Sequence, residues 1–150
     1  MAEVEESIRA LLLTLSTVTD KVGTGTAARI RPDRLYQADD KTLAAVIVEV
    51  DDEEKLNTLD GLGGRVMASV NLKCRARSSK AASRALAEAV RVNGTDPGTG
   101  LAGYTGTVGG MAIDAWLEDM QTSFVKDDDG SDNGFYDTDC AYMITFTEVI

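Results

Sequence analysis

Across residues 65–77 the side chains alternate. Val66, Ala68, Val70, Leu72, Cys74 and Ala76 fall on one side and Ser69, Asn71, Lys73, Arg75 and Arg77 on the other, with Met67 the one break in the period. Side chains of a strand switch faces at each residue, so this stretch belongs in a sheet with one buried and one wetter face. Directly after it the period changes to that of a helix. Ser78 and Ser79 are N-cap candidates, Ala82, Ala85, Leu86, Ala89 and Val90 form an apolar stripe, and Arg84 and Glu88 sit four apart on the outside. Asn93 and Gly94 match a left-handed helix end. A long half-buried strand running into an amphipathic helix sets an α+β framework, and nothing in that unit looks catalytic.

The other segments can be placed against this pair. Val4, Ile8, Leu11, Leu12 and Leu15 recur at helical spacing while Glu5 and Arg9 face out, which predicts a helix over 3–16, followed by a turn over 19–25. Residues 28–31 read as a short edge strand stopped by Pro32, and 33–42 as a polar loop. Residues 43–50, apolar almost throughout, predict a strand covered on both faces. Asp51, Asp52, Glu53 and Glu54 then read as a solvated turn. Leu56, Leu59 and Leu62 occupy a glycine-containing connector, where leucine gains only by packing on the core or on a partner.

Residues 93–110, rich in glycine and threonine, predict a long flexible loop in which Leu101 and Tyr104 are the candidates to dock on a partner. In 111–118, Met111, Ile113, Ala115 and Leu117 alternate with Asp114, Trp116 and Glu118. The sole tryptophan thus falls on the polar side, either covered by a second layer or exposed as an anchor. The last strand, about 135–149, places Tyr136, Cys140, Tyr142, Ile144 and Phe146 together, and residues 126–134 form the acidic tip of the hairpin between these two strands. The expected fold is α+β: a single domain over 1–150 with a mostly antiparallel or mixed sheet of about five strands packed by two helices.

Composition narrows the function. With 25 acidic residues, 15 basic residues and no histidine, the net charge is −10, which opposes adhesion to nucleic-acid phosphates or anionic lipid. No stretch reaches the apolar length of a membrane span, and the opening Met-Ala-Glu-Val-Glu-Glu lacks the positive charge of a secretory signal, so synthesis in the cytosol is expected. Cys74 and Cys140 lie on apolar strand faces and read as buried thiols; a disulfide would need neighbouring strands and an oxidising compartment. Two cysteines without histidine make no closed zinc site, and no histidine base serves a nucleophile. The glycines of 94–110 are not followed by Gly-Lys-Ser/Thr, so they spell no phosphate loop. Asp127, Asp129 and Ser131 have the spacing of the first EF-hand ligands, but Asp132 stands where the loop needs glycine and Thr138 where it needs glutamate. No catalytic residue, metal or cofactor is assigned, and the chain does not read as an enzyme. Lys73, Arg75 and Arg77 form a basic stripe without interleaved aromatics, better suited to pairing with carboxylates of an adjacent strand or subunit than to nucleic acid.

In order, the chain offers an opening helix, a strand ending in Ile30-Arg31-Pro32-Asp33-Arg34-Leu35, a hydrophobic strand, Leu59-Asp60-Gly61, the alternating strand, the helix Arg84-Ala85-Leu86-Ala87-Glu88-Ala89-Val90-Arg91 and a closing strand. That order resembles the tail terminator, or tail-completion, family of long-tailed bacteriophages, over about residues 8–92 and more faintly the last strand. The resemblance implies a virion protein that forms a hexameric ring on the tail tube, ends tube polymerisation and joins tail to head. Its partners would be copies of itself, the tail tube protein and head-completion or connector proteins, with no membrane. The glycine-rich loop and the acidic hairpin depart from the family pattern. In such a ring Leu56, Leu59, Leu62, Leu101, Tyr104 and Trp116 are candidate contacts. Asp51, Asp52, Glu53, Glu54, Asp127, Asp128, Asp129 and Asp132 are candidates to line a channel that DNA crosses without specific binding. The alternatives are another phage connector or tail-tube subunit, or a ligand-binding α+β domain with 93–110 as a lid.

Overall fold

The computed structural model describes residues 4–25, 28–33, 43–56, 65–77, 79–92, 100–108, 111–126 and 134–147. Their order is α1 (Val4–Leu12), α2 (Ser16–Val22), β1 (Ile30–Pro32), β2 (Ala45–Leu56), β3 (Arg65–Ala76), α3 (Lys80–Arg91), β4 (Thr105–Val108), β5 (Met111–Lys126) and β6 (Gly134–Thr147). The strands form a six-stranded sheet in the order β1-β2-β3-β6-β5-β4. Only β1 and β2 run parallel; every other neighbour pair is antiparallel. The class is α+β as expected, with one more strand and one more helix than the sequence indicated.

The alternating strand occupies the middle of the sheet as read. Val66, Ala68, Val70, Leu72 and Cys74 are buried, while Ser69, Asn71, Lys73 and Arg75 are half-buried on the other face. Tyr142, Ile144 and Phe146 of β6 continue the inner face, and α1, α2 and α3 bury their apolar sides against it in one core. Because α1 touches both edge strands, β1 and β4, the sheet curls around it. Helix α3 starts where the serine pair indicated: the Ser79 hydroxyl accepts the Ala82 N–H at 3.0 Å. Its buried face is turned from the expected stripe. Ser83 and Ala87 are buried and Ala85 is exposed, because the Ser83 hydroxyl donates to the Cys74 carbonyl at 2.6 Å. Glu88 pairs with Arg91 at 2.7 Å instead of with Arg84. The helix closes at Val92 in extended backbone; the proposed cap at Asn93 and Gly94 lies outside the described residues.

Three other expectations are corrected. The opening helix ends at Leu12 and a second begins at Ser16, so the turn read over 19–25 is largely helix; Leu15, Val18 and Val22 carry the buried stripe onward until Gly23 and Gly25 turn the chain with positive φ. The acidic run after Val50 is strand. Following a bulge between Val50 and Asp52, β2 continues beside β3 to the pair Leu56↔Arg65, with Asp51, Asp52 and Glu53 exposed. The glycine-rich segment is structured in its described part. Gly100 presses against the Arg91 carbonyl where a Cβ has no room, Leu101 donates its N–H to Val90 O at 2.9 Å, and residues 105–108 pair with β5. As read, residues 45–48 are buried on both faces, β1 lies at an edge, and β5 and β6 form a hairpin.

Candidate assembly surface

With the helices gathered on the inner face, the outer face is crossed by transverse rows of paired residues. Row one runs Asp52–Ser69–Met143–Trp116 across β2, β3, β6 and β5. Trp116 is 41% exposed, so no second layer among the described residues covers it. Exposed Asp52 and exposed Trp116 therefore stand at opposite margins of one row, about 14 Å apart at sheet spacing. Further along, Lys73 Nζ pairs with Glu49 at 3.4 Å. Arg75 donates to both carboxylate oxygens of Asp137 at 3.0 and 3.1 Å and stacks over Phe135 at 3.8 Å. Asp137 is only 4% exposed, so this pair fixes β3 to the base of the hairpin. The basic stripe thus pairs with adjacent strands within the chain. Asp139, opposite Lys73, is held above the usual carboxylate range chiefly by burial, with Lys73 opposing.

Not all candidate contacts survive. Leu101 is fully buried in the core, which excludes it from a partner contact in this fold, and Tyr104 packs half-buried beside it. Its backbone is held by Leu101 and Ala115. Leu56 ends β2, with its side chain outside the described set; Leu59, Leu62, Asp127, Asp128, Asp129 and Asp132 also lie outside the described residues. Asp51, Asp52 and Glu53 are exposed as a channel lining would need, but on a strand; Glu54 follows them there. Among the described residues no group of acidic or thiol side chains is placed to hold a metal. Cys74 and Cys140 are free and buried on neighbouring strands, and hydrogen bonding to Cys140 together with burial pushes the Cys74 thiol well up, away from nucleophilic use. A buried hydroxyl chain runs beside them. Since Ser83 donates to Cys74 O, Thr138 donates to Ser83 at 2.8 Å and Thr122 to Thr138 at 3.0 Å, which ties α3, β3, β6 and β5 together.

Sequence reading missed two features. Phe124 and Val125 are exposed near the end of β5, Phe124 against Tyr136 with ring centres 5.1 Å apart. The signal was present: apolar positions 113, 115 and 117 resume at 120 and 124 after a one-residue slip, which the structure shows as a bulge between Leu117 and Asp119. The second is the length of strand margin left unpaired. Strand β4 covers residues 111–114 of β5, and the loop before it reaches Ala115, so no described strand pairs with the outer side of 116–125. Strand β1 covers β2 only through Val48. An open groove of about 540 Å³ lies between α1 and β1, bordered by Glu6, Arg9, Leu13, Arg31 and Pro32; residues 100–108, the described part of the supposed lid, do not line it.

These features define a class: an α+β domain whose sheet is backed by helices on one side and carries charged and aromatic rows on the other, with strand edges that no described strand covers. The fold is similar to that of a chain in the solved virion of a native gene transfer agent particle, with a TM-score of 0.65 and 14% identity over 96% of this chain and 94% of that one. No protein-family model matches the sequence, and no curated protein matches it.

Proposed function

We propose that the protein is a structural component of a phage-like virion, and within it a tail terminator. Copies form a ring on the head-proximal end of the tail tube, stop its growth and present the surface that head-completion or connector proteins join; no catalysis is involved. The observation that carries this reading is the likeness, over nearly the full length of both chains, to a subunit of a gene transfer agent virion. The order of elements that resembles tail terminators gives it its finer form. Exposed Asp51, Asp52 and Glu53 at one margin are suited to a lumen that repels DNA phosphates.

The test is electron microscopy of the purified protein mixed with tail tubes. Single rings at tube ends and arrested elongation support a terminator, and extended stacks of the protein alone support a tube subunit. Indifference to tubes refutes both. The α1–β1 groove is what favours a ligand-binding reading, and thermal stabilisation of a monomer by a small molecule would support that instead.

A further inference from the structure

The hydrogen-bonding direction of each strand can be followed across the sheet. Ala115 gives its N–H to Tyr104 O and receives Gly103 N–H, both at 2.9 Å, so its backbone groups point away from β6. Its partner Ile144 therefore bonds toward β3, as do Tyr142, Cys140, Thr138 and Tyr136 along the unbroken β3–β6 register. Their partners past the bulge, Met120, Thr122 and Phe124, direct N–H and C=O outward, where no described strand receives them. At the other margin Val46 N–H bonds outward to Arg29 O at 2.8 Å. The same alternation along β3, carried through the bulge, makes Glu53 and Lys55 point outward from β2 beyond the reach of β1. Unpaired ladders of this kind are templates for another strand.

Both ladders suit one occupant, a second copy of this chain. Strands β2, β3, β6 and β5 are successively antiparallel, so β2 and β5 run in opposite senses. Setting the β5 margin of one copy beside the β2 margin of the next, without inverting it, gives an antiparallel pair. A register that bonds Glu53 to Thr122 and Lys55 to Met120 keeps inner-face positions together. It sets Asp52 opposite Ser123 and Glu54 opposite Gln121, so no acid stands directly opposite an acid, and the one like-charge diagonal is that of Glu54 with Asp119. We propose that copies of the chain join head to tail by pairing residues 120–124 of β5 with residues 51–55 of β2 of the neighbour, extending the sheet from subunit to subunit. Such a contact is heterologous and closes into a ring when the rotation permits. The proposal deepens the ring reading above and rests on it only for closure.

Proline at an outward position removes the donor and blocks pairing, yet is tolerated where the N–H faces solvent. Thr122→Pro and Glu53→Pro are each expected to weaken self-association by about tenfold or more, measured by sedimentation and native mass spectrometry. Thr122→Val, which loses the same hydroxyl but keeps the N–H, is expected to assemble like the wild type. Mixing the two proline variants joins one intact β5 margin to one intact β2 margin and is expected to give one-to-one dimers that grow no further. Circular dichroism checks that each variant folds. Full assembly by Thr122→Pro, or no dimer on mixing folded variants, overturns the pairing. Loss in Thr122→Pro but not in Glu53→Pro overturns it in favour of β5 meeting β5. Wild-type rings that neither proline weakens refute the edge contact and leave the ring standing, whereas a wild type that stays monomeric and ignores tubes refutes both.

Discussion

At the β1 margin, the Arg9 guanidinium donates to Ile30 O at 2.9 Å, Gly25 O at 3.1 Å and Ala28 O at 3.4 Å. Arg29 likewise takes Ala44 O and Lys21 O, and Pro32 has no N–H to offer. At the β5 margin, Met120, Thr122 and Phe124 present backbone groups that no described strand receives, beside exposed Phe124 and Val125. An edge that must stay monomeric is blunted by charge, proline and short length, and the first has all three. The second has a bulge and the exposed acids Glu118 and Asp119 at its start and Lys126 at its end, and over 120–125 neither charge nor proline. The contrast teaches that the two edges are protected unequally: the β1 edge by Arg9, Pro32 and its short length, residues 120–125 by none of these.

Several substitutions would break or sharpen that contrast. The largest effect is expected for Asp137→Ala, which strands Arg75 at the base of the open hairpin; a loss of about 3–5 kcal/mol should appear in urea denaturation. Arg9→Ala should cost about 2 kcal/mol by the same measurement. It should also add concentration-dependent aggregation through the unguarded β1 edge, which dynamic light scattering would detect. Asp139→Asn probes the row between the margins. One of its carboxylate oxygens is buried without a partner, and its raised folded value means that the folded state holds the proton more tightly than the unfolded one. Stability from this group is present at acid pH and is lost as pH rises through the folded value, so the variant should melt slightly above wild type at pH 7 and lose that advantage below pH 4, near the unfolded value. Smallest is Trp116→Ser, expected to stay within about 0.5 kcal/mol in stability because the indole is exposed. If it also leaves tube capping unchanged, the outer row plays no part in assembly.

How much of this was legible varies by segment. Residues 65–76 announced themselves because one face is buried by helices and the other is not, so chemistry and period agree. Ser79 announced the start of α3, but alanine is too small to reveal which side it buries, and Ser83 was drawn inward by a carbonyl that no linear reading locates. Asp51, Asp52 and Glu53 looked like a turn because charge usually marks one; here β3 supplies the ladder and the acids remain at the margin. Leu101 lay beside Gly100, whose use is close approach to α3, visible only once that glycine is seen against Arg91 O. The candidate surface was legible at Trp116 and in the acidic run. The open edges were not, because an unpaired strand side is a property of topology and leaves no residue signature.

Residue-resolved hydrogen exchange, comparing dilute with assembled protein, tests the central claim most directly. Pairing through the open margin predicts slowed exchange at the amides of Met120, Thr122 and Phe124 and at those of Glu53 and Lys55 on assembly, with Ile30 in the guarded edge unchanged. Assembled protein whose β5 amides exchange as fast as in the monomer would contradict it.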